Sequence, residues 1–341
     1  MLIKGQATVV KHTGSHYLLS HLPQWELFPA VLRGKIRLKG SSATNPVAVG
    51  DVVNYEAEVP EGPGQEALHE YVTLESPAVI TGVEPRRNYI IRKSTNLSRQ
   101  AHIIAANLDR AFLVVTLDFP QVKLPFLDRL LVTCEVYNVP PVIVLNKCDL
   151  YGPEHEDMRA AFHEIYEGAG YQVIEVSAHT GQGVDELRDM VCGHVSLFSG
   201  VSGVGKSSLI KALDPSLEPR VGDISDAHEQ GRHTTTFYEM YKVRCCHSEP
   251  ATCHSEPVEE SPGFIVDTPG LRGFGLVDLK KDEIALYFPE MLRVSENCRF
   301  TPCTHTHEPG CAVKEAVENG EISYDRYSSY LGMLDEEGKY R

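Results

Sequence analysis

The chain has 341 residues, of which 42% are hydrophobic and 23% charged, a composition typical of a globular protein with two or three domains. It has no apolar run of about 18 residues and no signal-type stretch after Met1, so the sequence predicts a cytoplasmic protein without membrane spans. The net charge of -15 excludes binding to nucleic acid through overall basicity, but not through local basic segments. Nine cysteines without a secretory signal argue against a disulfide framework and direct attention to metal-ligand spacing.

Residues 1–84 are predicted to form a small β-barrel of the oligonucleotide-binding (OB) type. Short strand-like segments, such as Ala7–Val10 and Tyr17–Leu19, alternate with Gly-containing turns. The stretch Val31–Lys39 alternates apolar and basic residues, which places its cations on one strand face where an RNA backbone can bind. These cations are Arg33, Lys35, Arg37 and Lys39. A solvated strand face is the alternative interpretation.

Residues 85–275 are predicted to form an α/β domain that begins with the basic connector 85–93. Helices at Phe126–Val136 and Glu156–Glu167 alternate with apolar strands, a pattern typical of a parallel sheet covered on both faces. The predicted strands are Ala111–Thr116, Pro141–Leu145, Gln172–Val176, Val195–Phe198, Phe237–Val243 and Phe264–Val266. Ligands of such sheets bind at the carboxyl ends of the strands.

The segment Gly200–Ser208 fits the phosphate-binding pattern G-x-x-x-x-G-K-[ST]. Its glycines let backbone N–H groups point at phosphates, and the helix that follows presents its positive end. Lys206 is predicted to contact the β- and γ-phosphates and to assist catalysis, and Ser207 to bind Mg²⁺. The predicted nucleotide contacts of this loop are Gly200, Val201, Ser202, Gly203, Val204, Gly205, Lys206, Ser207 and Ser208.

The segment Asn146-Lys-Cys-Asp149 resembles the guanine-reading Asn-Lys-x-Asp motif of GTPases. Asp149 would accept hydrogen bonds from N1 and N2 of guanine, donors that adenine lacks, so the motif predicts GTP as the nucleotide. Ser177-Ala178 follows the next strand, with the Ala178 backbone expected to face guanine O6. The predicted contacts are Asn146, Lys147, Cys148, Asp149, Ser177 and Ala178.

Two later segments have the form of GTPase switches. Asp267-Thr-Pro-Gly270 ends an apolar strand, so Asp267 is predicted to hold Mg²⁺ through water and the Gly270 amide to sense the γ-phosphate. In Gly231–Thr236, Thr235 or its neighbour Thr234 is predicted to complete the Mg²⁺ shell. Because an apolar residue, Leu271, follows the second switch, another group must orient the attacking water, and we predict His233. A loop or RNA-contact role is the alternative for His233.

The motifs stand in a rotated order, because Asn146–Asp149 and Ser177-Ala178 precede the phosphate loop, whereas in ordinary GTPases they follow the switches. With a barrel-like front and a Cys/His cluster behind, this order resembles the ribosome small-subunit-dependent GTPase A family, as do Arg33–Arg37, Ala105–Asp109 and Arg326-Tyr327. The resemblance covers nearly the whole chain. It implies a circularly permuted GTPase that binds the small ribosomal subunit late in maturation, hydrolyses GTP faster there and then leaves.

Residues 276–341 are predicted to form a mostly helical zinc-binding domain. Three thiolates and one imidazole in a loop-like stretch fit a closed tetrahedral site, with free thiols as the alternative. The spacing C-x4-C-x-H-x5-C matches the resembled family, which favours His305 over His307. The predicted ligands are Cys298, Cys303, His305 and Cys311. Behind them Tyr324, Arg326, Tyr327 and Tyr330 are expected either to contact RNA or to pack against the zinc loop.

A direct repeat interrupts the α/β domain at residues 244–262, where the resembled family has a short hairpin turn. Cys246-His-Ser-Glu-Pro250 recurs as Cys253-His-Ser-Glu-Pro257, which indicates inserted sequence. We expect a disordered, acidic surface loop, since apolar anchors are lacking. Metal binding by its thiols and imidazoles is the alternative, and its ligands would come from Cys245, Cys246, His247, Cys253 and His254.

The sequence therefore predicts a monomeric GTP hydrolase that uses Mg²⁺ with GTP, holds one structural Zn²⁺ and acts in assembly of the small ribosomal subunit and its rRNA. Two alternatives stay open. The first is a GTP-dependent RNA-binding checkpoint with negligible hydrolysis. The second is a signalling GTPase with a protein partner.

Overall fold

The computed structural model of the protein describes residues 1–13, 16–32, 46–60, 68–93, 101–218, 238–245, 261–268 and 279–339. Within these ranges one sheet of eleven strands runs from the amino-terminal region into the α/β region, and a separate pair of strands lies beside it. None of the described helices is both long enough and apolar enough to cross a membrane.

The amino-terminal strands close into a five-stranded barrel, which confirms the predicted OB-like architecture. Neighbours around it follow the order β1–β2–β3–β5–β4, and β4 pairs back with β1 from Leu2 opposite Glu58 to Thr8 opposite Val52. A short helix, α1 (Leu68–Tyr71), precedes the last strand. The strands are β1 (Leu2–His12), β2 (His16–Ser20), β3 (Leu27–Leu32), β4 (Val52–Glu58) and β5 (Ala78–Val83).

The connector after the barrel contains a strand, which the sequence analysis missed. β6 (Tyr89–Lys93) pairs antiparallel with β7 (Ala101–Ala106). Arg86 in the same connector donates to both carboxylate oxygens of the fully buried Asp51, at 2.6 and 2.7 Å. This basic residue therefore ties the connector to the barrel.

The α/β region is a parallel sheet with one antiparallel edge strand, in the order β10–β9–β8–β11–β13–β12. Because the other five strands are parallel, their carboxyl ends meet at one edge, where the predicted nucleotide motifs begin. The strands are β8 (Arg110–Val115), β9 (Pro141–Leu145), β10 (Gln172–Glu175), β11 (Val195–Ser199), β12 (Glu239–Val243) and β13 (Gly263–Asp267).

Helices cover both faces of this sheet, as the continuous apolar strands predict. Leu113 of β8 joins the core beneath α2 (Leu124–Val136) and α3 (Glu156–Ala169). Its neighbours Phe112 and Val114 point the other way, towards α4 (Val184–Val191) and α5 (Lys206–Leu213). This alternation follows from the two-residue period of a strand.

The barrel and the α/β sheet are joined edge to edge, because β1 pairs antiparallel with β12 at Lys11 and Glu239. The side chains of these two residues form an ion pair at 2.6 Å. The Trp25 ring lies 5.5 Å from that of Phe264 across the same joint. The strand that follows the predicted first switch is thus bonded directly to the barrel.

The carboxyl-terminal region is helical and docks on α2. Its helices are α6 (Pro289–Ser295), α7 (Ala312–Glu318) and α8 (Tyr324–Lys339). Arg326 of α8 is fully buried and donates to Glu290 of α6 and to Asp128 of α2, both at 2.7 Å. The guanidinium also lies over the Phe288 ring. Arg326 therefore connects the helical region to the α/β sheet and is not exposed for RNA contact.

One disulfide lies within the described residues, between Cys192 and Cys245. The cysteine count and the lack of a secretory signal argued against a disulfide framework, and this single bridge was not predicted, because only the fold brings together two residues 53 positions apart. Cys245 is consequently not a free thiol for the metal site considered in the repeat. The repeat itself, from Cys246 to Pro257, lies outside the described ranges.

Candidate nucleotide and metal sites

The phosphate loop connects β11 to α5 at the carboxyl edge of the sheet. Lys206, the first residue of α5, is buried and turns back over the loop, where its Nζ donates to the carbonyls of Gly200 at 2.7 Å and Val201 at 3.3 Å. Burial lowers the pKa of Lys206, and the nearby Asp267 carboxylate opposes that effect. The loop thus holds a cation at its centre, the arrangement that binds an anionic phosphate chain.

The loop after β9 is bonded to the phosphate loop. The buried Asn146 donates from Nδ2 to the carbonyl of Val204 at 2.8 Å, and its Oδ1 accepts from the Ala178 amide at 3.3 Å. Lys147 donates from Nζ to the Gly203 carbonyl at 2.8 Å and to that of Phe119. Three predicted nucleotide segments therefore share one hydrogen-bond network.

Asp149 lies exposed at the rim of this network. Its Oδ1 accepts from the hydroxyl of the buried Ser177 at 2.6 Å, and the same hydroxyl accepts from the Thr180 amide at 3.0 Å. Cys148 stands between Lys147 and Asp149, and its amide donates to the Val176 carbonyl at 3.2 Å. One carboxylate oxygen of Asp149 is thus held in place by Ser177.

Two aromatic residues of the site were missed by the sequence analysis. The Tyr151 hydroxyl donates to the Asn146 carbonyl at 2.7 Å and accepts from the Leu117 amide at 3.0 Å. Phe119, in the loop after β8, supplies the carbonyl that Lys147 contacts. The position of this loop after the carboxyl end of β8 was a sequence signal for the site, but the loop matches no short motif.

Asp267 lies at the end of β13, next to the phosphate loop. It is buried, and its Oδ1 has no hydrogen-bond partner among the described residues. Burial raises the pKa of Asp267 to about 6, against the opposing effect of Lys206. Thr268 donates from its hydroxyl to the Phe198 carbonyl at 2.9 Å, which fixes this end of β13 to β11. An unpartnered carboxylate oxygen here fits the needs of a hard cation such as Mg²⁺.

The remaining predicted positions of the nucleotide site divide in two groups. Val201, Gly205 and Ser207 are partly exposed on the phosphate loop, and Ser202, Gly203 and Ser208 are exposed there. His233, Thr235 and Gly270 lie outside the described residues, as do the four predicted RNA contacts Arg33, Lys35, Arg37 and Lys39.

A second site lies between α6 and α7, where three cysteines and one histidine converge. The ligand atoms of Cys298, Cys303, His305 and Cys311 all lie within 4.8 Å of one another. The sulfurs of Cys298 and Cys311 are 4.0 Å apart, and Nδ1 of His305 is 3.7 Å from the Cys298 sulfur. A tetrahedral zinc ion with bonds of about 2.3 Å to sulfur separates such ligands by about 3.8 Å, so the donor set fits zinc.

Two tyrosines of α8, Tyr327 and Tyr330, support this cluster from behind. The Tyr327 hydroxyl donates to the carbonyl of His305 at 2.6 Å, and that of Tyr330 to the carbonyl of Thr304 at 2.7 Å. Burial lowers the pKa of His305, which keeps the ring neutral and able to bind a metal. Of the two roles expected for the α8 tyrosines, the structure shows packing against the metal-site loop for Tyr327 and Tyr330, whereas Tyr324 is exposed.

The strand order and the site motifs agree with a rotated GTPase arrangement. β8, β9 and β10 precede the phosphate-loop strand β11 in the chain, and in the sheet they lie together on one side of it. A model of the RsgA GTPase family matches residues 83–277. The small ribosomal subunit biogenesis GTPase RsgA of Bacteroides fragilis is 45% identical over 335 residues, 98% of each chain. The chain belongs to the RsgA GTPase family.

Further relatives match nearly the whole chain. The small ribosomal subunit biogenesis GTPase RsgA of Christiangramia forsetii is 42% identical over 98% of each chain. The crystal structure of YjeQ from Thermotoga maritima is 31% identical, covers 99% of this chain and 100% of its own, and superposes with a TM-score of 0.73. That of YloQ, a circularly permuted GTPase, is 24% identical with a TM-score of 0.68, covers 99% and 96%, and supports the fold.

Proposed function

We propose that this RsgA-family protein is a GTPase of small ribosomal subunit biogenesis that binds GTP and the subunit and hydrolyses GTP faster when bound. One observation carries the proposal, the meeting of the phosphate loop, the Asn146–Asp149 loop and Asp267 at one sheet edge that is continuous with the barrel. Two relatives are named small ribosomal subunit biogenesis GTPases. They are 45% and 42% identical to this chain over 98% of its length.

The proposed GTP site assigns a role to each part of the network. The phosphates lie against the amides of residues 200–208, and Lys206 exchanges its carbonyl partners for phosphate oxygens. Asp149, held by Ser177, accepts from the guanine N1 and N2 donors. Ser207, Thr235 and Asp267 would hold Mg²⁺, which neutralises charge on the phosphates when bound.

The attacking water needs a group to orient it, and our proposal for that group remains His233. This rests on the sequence alone, because the apolar Leu271 follows the second switch. His233→Ala should keep the basal rate and lose the subunit-stimulated rate. Unchanged stimulation would refute the role.

We further propose three units, at 1–84, 85–275 and 276–341, in a cytoplasmic monomer. The barrel contacts rRNA through Arg33, Lys35, Arg37 and Lys39. In the third unit, Cys298, Cys303, His305 and Cys311 would hold one structural Zn²⁺. The buried contacts of Arg326 with Glu290 and Asp128 then hold this zinc unit against α2 of the GTPase unit.

The decisive experiment compares phosphate release from GTP with and without purified small ribosomal subunits. Stimulated release supports the proposal. Nucleotide-dependent binding without release would instead indicate the RNA-binding checkpoint, and absence of any subunit effect would favour a signalling GTPase.

A matched variant assigns the activity to this site. Asp149→Asn keeps an oxygen that can accept from Ser177, so the loop should stay in place while the guanine-reading charge is lost. The variant should lose stimulated GTP hydrolysis and gain hydrolysis of xanthosine triphosphate, whose base offers the complementary acceptor. Unaltered use of GTP would contradict guanine reading by Asp149.

A further inference from the structure

We propose that Cys192 and Cys245 are a reversible redox site, a dithiol–disulfide pair that exchanges with low-molecular-weight disulfides. Cys192 directly follows helix α4. Cys245 lies just after β12 and is the last described residue before the repeat-containing segment 246–260. The bond therefore connects the start of that segment covalently to α4. Nothing in the proposed GTPase chemistry uses either thiol.

Neighbouring contacts hold these two residues together independently of the bond. The amide of Gly193 donates to the carbonyl of Ser261 at 3.2 Å, so the residue that follows the segment is attached next to Cys192. Before the segment, Arg244 donates to both carboxylate oxygens of the buried Asp214 from its side chain and backbone, at 2.9 to 3.2 Å. The start of the segment is thus fixed at the end of α5, and its other end is fixed next to Cys192.

This pre-organisation favours closing the disulfide, because the second thiol reacts as an intramolecular partner at high effective concentration. The α-carbons of Cys192 and Cys245 lie 5.7 Å apart, within the usual range for a bridge. Cys192 is partly exposed, whereas Cys245 is 3% exposed. An incoming disulfide therefore meets Cys192 first, and Cys245 completes the exchange.

The reaction balances in two steps of thiol–disulfide exchange. The Cys192 thiolate attacks one sulfur of glutathione disulfide and releases one glutathione thiolate. The Cys245 thiolate then displaces the second glutathione from the mixed disulfide. Two protein thiols are oxidised, one glutathione disulfide is reduced to two thiols, and the two protons pass to the released thiolates.

The inference rests on the proposed function in one respect. Ribosome biogenesis takes place where thiols are kept reduced, and a disulfide in such a compartment is usually transient or redox-sensing rather than permanent. The pair lies at the amino ends of β11 and β13, because β12 runs from Glu239 beside Asp267 to Val243 beside Gly263. We therefore expect oxidation to change stability and to leave GTP affinity unchanged.

The test uses the full-length, zinc-loaded protein, reduced and then exposed to glutathione disulfide. Peptide mass mapping should find Cys192 linked to Cys245, and dithiothreitol should release the link. Oxidation should raise Tm by about 5 °C, because the bridge restricts the unfolded chain over a long loop. The double variant Cys246→Ser/Cys253→Ser should behave in the same way, whereas Cys192→Ser should show neither the link nor the shift.

Two outcomes would overturn the inference: no link between Cys192 and Cys245 after exposure, or linkage of Cys245 mainly to Cys246 or Cys253. Mapping of the unsubstituted protein decides this even if Cys192→Ser fails to fold. Peptide mass mapping detects the Cys192–Cys245 bond without ribosomes or GTP. A protein that forms it but shows no subunit-stimulated hydrolysis would therefore contradict the proposed function and leave the redox site standing.

Discussion

Asn146 donates from its side-chain amide to the carbonyl of Val204, 58 residues further along the chain, at 2.8 Å. The same nitrogen lies beside Gly205, where a β-carbon would stand 2.4 Å from it. Gly205 also has a φ of +93°, a left-handed conformation that glycine adopts readily and residues with a β-carbon rarely adopt. The contact between the guanine-motif loop and the phosphate loop therefore depends on a glycine at this position.

Gly205→Ala should weaken GTP binding at least about tenfold, since the added methyl group displaces Asn146 from Val204 and strains the start of α5. Binding is measured by titration with a fluorescent GTP analogue. The matched control is Gly168→Ala, at a helical position where an added β-carbon meets nothing within 4 Å. Equal affinities in the two variants would show that the close approach is unimportant.

The sequence predicted the parts of the site whose chemistry is local. Gly200–Ser208 and Asn146–Asp149 combine a fixed spacing with a preceding apolar strand, and both stand at the carboxyl edge as expected. The strand pair β6–β7 was missed because neither of its short strands, Tyr89–Lys93 and Ala101–Ala106, alternates apolar and polar residues. Tyr151 and Phe119 were missed because their roles use a hydroxyl and a backbone carbonyl, which no spacing encodes.

Tertiary pairing accounts for the other gaps. The sequence left open whether Arg326 contacts RNA or packs against the zinc loop. It is buried because Asp128 and Glu290 meet it from two other helices. The Cys192–Cys245 bridge and the pairing of β1 with β12 likewise join segments far apart in the chain. A single sequence carries little information on such distant partners.

Removal of the proposed zinc ion should loosen the carboxyl-terminal helical region without abolishing the α/β fold. His305→Ala takes one donor from the cluster and should lower bound zinc from one ion per chain to a small fraction, measured with a colorimetric chelator. It should also weaken the packing of Tyr327 and Tyr330 on the loop, seen as reduced near-ultraviolet circular dichroism.

The matched control for zinc binding is His307→Ala. His307 is exposed and lies outside the cluster, with its Nδ1 at 2.9 Å from the Thr306 hydroxyl. This variant should keep its zinc. Loss of zinc from it, with retention in His305→Ala, would reverse the ligand assignment.

Arg326→Met should lower the free energy of unfolding by about 3–5 kcal/mol, because it leaves the buried carboxylates of Asp128 and Glu290 without their cation. Urea denaturation followed by circular dichroism measures the loss. Arg293→Met is the control, since Arg293 is exposed and donates hydrogen bonds to the backbone carbonyls of Gly168 and Ala169 rather than to a buried carboxylate. A similar decrease in the free energy of unfolding in both variants would show that the buried ion pairs of Arg326 contribute no more than the exposed contacts of Arg293.

His163 makes stability depend on pH. Burial by itself would lower its pKa, but hydrogen bonds to Glu167 at 2.9 Å and Glu175 at 2.8 Å outweigh burial and raise the pKa above the ordinary 6.5. The folded state therefore binds the proton more tightly than the unfolded state. The contribution is fully present below pH 6.5 and is lost as pH rises through the folded-state pKa.

His163→Gln should consequently be less stable than the parent protein at pH 6 by up to about 1 kcal/mol, and the difference should shrink by pH 8. Urea denaturation at intervals between these values measures it. His179→Gln, at an exposed loop position, serves as the control and should follow the parent protein throughout. A constant difference between His163→Gln and the parent across the range would mean that the ion pairs with Glu167 and Glu175 do not form in solution.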